Sequence, residues 1–295
     1  MKQLIFFLLT VIPLSCFSQE DWNWWNELHG WEPGMPSWRF FLTISPGFLG
    51  PNALPVPEMK KGILSGKKEI EFGPDFHFKD GDNTQDLSGR FYYPFAGAKI
   101  AIEVYGVMLE HYSMSDAIRD ERVARDKDAR GLAIGDLYFS SMIQLLRDRK
   151  FPDTVLRLAC KTASGGRLDA ARYADSPGYF LDLNFSKNLS SGLRNTQWVP
   201  FGMLGFYSWQ TNDDMNLQDD ALLYGAGMDI RFKEMTVSNS LSGYHGYKDN
   251  GDRPIVYTFD LQKKLKHQTF RIQYLYGLHD WIYQTVKLSY IWKWD

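Results

Sequence analysis

Hydrophobic positions recur at every second residue through most of this chain. The run from Gln284 to Trp294 shows the pattern well. Val286, Leu288, Tyr290, Trp292 and Trp294 share one face, and Thr285, Lys287, Ser289 and Lys293 share the other, with Ile291 the one apolar residue among them. A period of two marks an extended strand, because successive Cβ atoms point to opposite faces. The same reasoning predicts strands at about 69–78, 87–95, 98–112, 135–147, 153–163, 178–187, 197–209, 220–232, 235–244, 255–262, 267–278 and 282–294, and an earlier one at 38–46. No helical stretch is long enough to cover the apolar face of such a sheet. The expected fold is therefore all-β: a closed antiparallel transmembrane β-barrel with lipid outside and a polar lumen inside. Twelve strands lie beyond residue 68; the run at 38–46 is a thirteenth, which parity admits only at the rim, in the lumen or in a fourteen-strand barrel.

The connections follow the barrel rule of short turns on one side and long loops on the other. With both barrel ends in the periplasm, 95–97, 147–152, 233–234 and 263–266 are short inner turns, whereas 79–86, 113–134, 164–177, 210–219 and 245–254 are long, polar outer loops. Connections 279–281 (outer, tight) and 188–196 (inner, long) break the trend. Residues 19–68 read as a periplasmic, aromatic-rich segment with the one extra strand; Pro46 to Gly66 holds four prolines and reads as irregular. The barrel proper is 69–295.

Extending the parity rule to each strand yields an interior. Glu71, Asp75, Arg90, Lys99, Glu103, Asp136, Arg157, Lys161, Asp182, Asp229, Arg231, Asp260, Arg271 and Lys287 are the candidate lumen residues, and Val286, Leu288, Tyr290, Trp292 and Trp294 the candidate lipid-facing ones. Acids and bases nearly balance. Paired charges are tolerable in a narrow lumen where unpaired ones are costly. The set fits either an ion-pair network that fills a small barrel or a narrow polar channel in which those charges select a solute. The parity also predicts that Leu288→Arg costs about 2–4 kcal/mol at mid-membrane, with Thr285→Arg better tolerated. The mixed-charge loop after Ser113 is read as a solvated face, with a Glu121–Arg125 helical pair plausible, or as a segment folded into the mouth.

Composition adds an address. Lys2, the apolar run Leu4–Pro13 and the small residues around Cys16 and Ser18 form a secretory signal over residues 1–18, so export follows the general secretion pathway to the outer membrane of a Gram-negative cell. Cys16 in a poor lipoprotein context makes lipidation the weaker alternative. Cys160 is then the sole cysteine, which excludes an internal disulfide. A net charge of −2 argues against nucleic acid. Expected partners are membrane lipid, lipopolysaccharide at the acidic loop of Asp213, Asp214, Asp219 and Asp220, the barrel-assembly machinery and a small solute; no cofactor is expected.

Candidate chemistry is sparse. His111 and Ser113 stand two apart and resemble the His-x-Ser element of outer-membrane phospholipases, yet no Asn-Gly follows the serine, and continued parity aims both at the lumen. His29, His77, His245, His267 and His279 show no metal-ligand spacing, and the acidic loop lacks a calcium pattern, so no metal is expected.

Across about 135–187 the text Gly135-Asp136-Leu137-Tyr138-Phe139, Leu156 to Gly165 and Pro177-Gly178-Tyr179-Phe180-Leu181-Asp182 resembles outer-membrane transporters of the phenol-degradation meta-pathway type. Ala163 stands where that family has proline. The resemblance covers about one fifth of the chain and implies a barrel that moves a small solute; it assigns no site residue. Three functions stay open: a channel or transporter, a structural or surface-interaction barrel with a filled lumen, and a lipid-active hydrolase.

Overall fold

A computed structural model describes residues 22–148, 150–190 and 196–295. The expected leader, residues 1–18, lies outside the described residues. Residues up to Met35 form a unit of their own. It holds helix α1 (Asn23–His29), stopped by Gly30 at φ 66°, whose left-handed backbone carries its N–H back to the Asn26 carbonyl.

The second unit is one antiparallel sheet. Its strands are β1 (Lys68–Lys79), β2 (Asp82–Phe95), β3 (Ile100–Met114), the short β4 (Arg130–Ala133), β5 (Leu137–Leu146), β6 (Asp153–Lys161), β7 (Gly178–Ser186), the two-residue β8 (Leu189–Ser190), β9 (Thr196–Asp213), β10 (Asn216–Phe232), β11 (Met235–Gly246), β12 (Ile255–Lys264), β13 (Gln268–His279) and β14 (Gln284–Trp294). β4 only adds to β3 and β8 only to β9. The other twelve each pair with two neighbours, and the ring closes because β14 pairs with β1 and β9 with β10. Closure leaves no free edge among these twelve strands, which is what a non-aqueous surround requires. Exposed Ile70, Phe72, Leu181, Leu222, Leu288 and Trp292 all stand on the outer surface, each at least 40% exposed, with no second layer over them. Aromatic rings adjoin one another on that surface, Phe91 next to Tyr93 and to Trp294 with centroids 6.3 and 6.4 Å apart.

Three features depart from the sequence reading. Residues 38–41 form a 3-10 turn rather than a strand. Two expected loops are tight hairpins instead: β1 and β2 are joined by Asp80 and Gly81, and β9 and β10 run on to Asp213 and Asn216, so these strands overhang the rest. The polar residues of an overhang read as loop because water, not lipid, surrounds them. The long connections at that end are 115–136, which contains α2 (Asp116–Glu121), and 162–177. Helix α2 is capped by Ser115 Oγ, which accepts from the Ile118 N–H, and it ends before Arg125, so no Glu121–Arg125 helical pair forms.

The largest departure concerns residues 42–66. Placed in the periplasm by the sequence reading, they instead thread the barrel as a plug. At the loop end Arg39 meets Asp175 at 2.8 Å and Asn212 Nδ2 donates to the Leu42 carbonyl at 2.9 Å. At the turn end Gln144 brackets the chain, accepting from Leu64 N–H and donating to the Gly62 carbonyl, both at 2.8 Å. Pro46, Pro51, Pro55 and Pro57 lack the N–H a ladder needs, so the segment stays irregular. Its backbone groups still require partners. Side chains of the barrel wall supply them: Trp209 Nε1 donates to Ile44 O (3.2 Å), Trp281 Nε1 to Pro51 O (2.9 Å), Tyr244 OH to Leu54 O (2.8 Å) and Tyr92 OH to Ser65 O (2.9 Å). The plug's Leu42, Ile44, Leu49, Leu54 and Met59 pack with Tyr138, Phe180, Phe201, Tyr207, Trp209 and Tyr244 in the main apolar cluster, which therefore lies inside the barrel.

Candidate functional site: a charged lumen closed by a plug

Odd-numbered residues of β1 face inward: Glu69, Glu71, Asp75 and His77 are buried, and Ile70, Phe72 and Phe78 exposed. Their carboxylates are met by bases on the inner face, largely from the neighbouring strands. Arg90 on β2 spreads its guanidinium over Glu71 (2.9 Å), Glu69 (2.9 Å) and Glu103 on β3 (3.1 Å). Arg271 on β13 bonds Asp260 on β12 at 2.7 Å and reaches Glu71 at 3.4 Å. Lys287 on β14 lies 2.8 Å from Asp75, Arg157 on β6 2.9 Å from Asp182 on β7, and Lys161 2.6 Å from Asp136. Asp229 on β10 takes Arg231 from its own strand at 2.8 Å. Of the predicted lumen residues, these thirteen therefore sit on the inner side, or for Asp136 just before β5. Lys99 does not: it is exposed in the 96–99 turn, because β3 begins only at Ile100. On β14, Leu288 and Trp292 are open to the outside and Val286, Tyr290 and Trp294 are half-covered by their neighbours on that face. Ile291 is buried on the lumen side.

His111 and Ser113 correct a second expectation. Leu87 pairs with Leu109 but Ser88 with Val107, so Met108 is an extra residue, a β-bulge in β3. Beyond it the parity reverses: Glu110 and Tyr112 turn inward, and His111 and Ser113 face out. His111 Nδ1 meets Gln85 Oε1 at 3.1 Å, and no hydrogen bond joins Ser113 to His111 among the described residues. The nucleophile-to-base contact of a hydrolase is thus not formed.

Sequence reasoning missed two groups. The first belongs to the plug. Lys60 Nζ donates to Glu103 (3.0 Å), Lys61 Nζ to Asp229 (2.8 Å), and Glu58 accepts from Arg271 (2.5 Å). The Lys60 N–H bonds Asn184 Oδ1 at 2.7 Å, and the Lys61 ammonium lies 3.4 Å above the Phe201 ring. The second group is an ion-pair cluster at the loop end. Asp82 Oδ2 accepts from Arg122 (2.7 Å), Arg172 (3.0 Å) and Tyr283 (2.6 Å). Arg172 also holds Glu110 (2.8 Å) and Thr84 (2.8 Å) and is wholly buried. Arg122 and Arg172 come from the two long connections, so both loops fold into the mouth. The charge run around Arg122 was the signal; of its two readings, a solvated face or a segment folded into the mouth, the burial of Arg122 against Asp82 fits the second. Outside the apolar band, Asp219 on the β10 overhang has its carboxyl pushed up to about 6 by burial and by the neighbouring Asp252 carboxylate.

Between plug and wall the lumen keeps two cavities. One, about 200 Å³, is lined on the charged side by Glu71, Asp75, Arg90, Glu103 and Arg271 and on the other by Tyr105, Tyr138 and Phe180. The second, about 160 Å³, lies across the plug near Ser238, Ser240, Thr258 and Trp281. Both are wide enough for several waters.

No protein-family model matches the chain, and no curated protein sequence does. Solved structures do match. An outer membrane channel from Pseudomonas putida F1 is similar over 82% of this chain and 97% of its own, with 15% identity and a TM-score of 0.51. KdgM porin covers 77% of this chain and 99% of its own at 10% identity and a TM-score of 0.48. At such identities the likeness concerns the fold: a closed antiparallel barrel of the outer-membrane type.

Proposed function

We propose that this chain is an outer-membrane channel for a small polar solute, closed in this conformation by its own N-terminal segment. The apolar outer surface with its adjoining aromatic rings suits a bilayer, and the fold shared with an outer membrane channel agrees with that setting. One observation carries the channel reading. A barrel meant to be solid fills its interior with wall side chains, as small barrels can; this wall leaves room for a whole extended chain, and the occupant is a stretch that belongs to no strand of the ring, held by polar and apolar contacts and flanked by cavities of about 200 and 160 Å³. A segment outside the ladder can withdraw without breaking it. With the plug gone, the inner surface left behind is the charged wall around Arg90 and Arg271 facing the aromatic wall of β5 to β9, a path for a solute with both polar and apolar parts.

The test compares planar-bilayer conductance of the intact protein with that of a variant lacking residues 36–62, both verified as folded by heat-modifiable migration in gels. The intact protein is expected to be mostly closed and the variant steadily open. A folded variant that stays non-conducting overturns the proposal and leaves the filled structural barrel, which the dense aromatic cluster around Tyr207 and Trp209 favours. The specific kinship with phenol-degradation transporters would be supported if the open variant passed small aromatic acids faster than sugars of equal size.

A further inference from the structure

We propose that Asp75, His77 and Asp86 form a binding site for a divalent transition-metal ion of the zinc or manganese class, inside the barrel and beside the plug. Asp75 and His77 alternate on β1 and so share its inner face, and Asp86 on β2 is the cross-strand partner of Asp75. One ligand atom from each lies within 4.8 Å of the others, and all three residues are buried. No spacing in the sequence announces the group, because one of its members arrives through strand register.

A second observation points to a ligand. Asp75 Oδ1 and Asp86 Oδ1 are both buried and have no hydrogen-bond partner. Orphaned carboxylate oxygens out of water are costly, and a cation held among these three side chains would offset that cost. The second shell is in place as well. His77 Nδ1 lies 2.8 Å from Thr285 Oγ1, which fixes the ring and presents Nε2 towards Asp86 Oδ2 at 2.7 Å. Ligating histidines characteristically give their other N–H to such a partner. Asn52 of the plug also touches Asp86 Oδ2, at 2.7 Å, so its amide stands at the site's edge and can turn its oxygen inward as a further ligand.

Charge and ligand type narrow the ion. Two carboxylates face one ammonium, Lys287, which bonds Asp75 Oδ2 and leaves Oδ1 free. One imidazole with two carboxylates suits zinc, manganese or iron; calcium demands more oxygens and copper(I) demands sulfur. Asp75 borders one lumen cavity and His77 the other, so the site lies beside space wide enough for water. None of this requires the channel reading, since a permanently sealed barrel would hold the same ion.

The experiment is calorimetric titration of untagged, chelator-treated protein in detergent with zinc chloride and then manganese chloride. Expected are one ion per chain, loss of binding in His77→Ala and Asp86→Asn, and about 10–100-fold weaker binding in Thr285→Val. Absence of saturable binding by the folded protein overturns the proposal. So does binding that survives His77→Ala, which would assign it to exposed imidazoles such as His111. Should His77→Ala fail to fold, Thr285→Val decides, and unchanged affinity there counts against the site.

Discussion

Replacing Lys60 and Lys61 together by methionine should unlatch the plug. Glu103, which takes Lys60 Nζ at 3.0 Å, has a fully buried side chain, and Asp229, which takes Lys61 Nζ at 2.8 Å, is 2% exposed. Charge-assisted hydrogen bonds of this kind contribute about 1.5–3 kcal/mol each. The lower end applies, because the lysines are 19% and 31% exposed and each acid keeps another cation, Arg90 or Arg231. Loss of both contacts then weakens the closed state by about 3 kcal/mol, since the acids left behind can rehydrate only when the plug departs. That corresponds to roughly a 100-fold shift towards the open form. Single-channel recording reads this as a rise in open probability. Arg39→Ala is the control: its partner Asp175 is 48% exposed and the arginine 55%, so the contact should contribute little and gating should not change. A folded double variant with the open probability of the parent would refute the reasoning that these lysines latch a movable segment.

Other substitutions examine different parts of the argument. Arg172→Met strands Asp82 and Glu110 in a site with no water access, and a loss of about 3–5 kcal/mol is expected in urea unfolding from detergent; a loss under 1 kcal/mol would show that Arg122, Tyr283 and Tyr173 suffice. Leu288→Arg should cost about 2–4 kcal/mol if the residue lies near mid-membrane, whereas Ser289→Arg, whose side chain borders the larger cavity, should cost clearly less. Thr285, which parity alone marks as tolerant, is fully buried against His77, so Thr285→Arg should be as damaging as the lipid-face change. The Asp219 carboxyl titrates near 6 in the fold against about 4 when unfolded. The folded chain therefore binds the extra proton between those values, and stability falls as pH rises through that window. Asp219→Asn should be neutral below about pH 4 and stabilising by about 1 kcal/mol above pH 7 after solvent screening; a pH-independent effect would remove Asp219 as the cause.

The barrel was legible because every strand between lipid and lumen must alternate. The inner charges of β1, β2, β6 and β7 followed from parity, and only Lys99, in a turn, and the residues past Met108 escaped it. A bulge adds one residue without changing local composition, so no periodicity analysis detects where the facing of His111 and Ser113 reverses. Overhangs escaped as well: Asp82 and Thr84 on β2 look like loop residues until the network of Arg122, Arg172 and Tyr283 surrounds them.

The amino-acid order alone determined the two-sided strands beyond residue 68, because facing is a local property of each residue and its neighbours two positions away; that the ring closes at twelve was decided by the fold. Tertiary structure alone decided what occupies the lumen. Residues 42–66 carry no period, and their place is set by contacts such as Lys60 with Glu103 and Pro51 with Trp281, separated by long stretches of chain. Closure of the ring brings those partners together, and only then does an irregular, proline-rich segment find the hydrogen bonds that hold it inside.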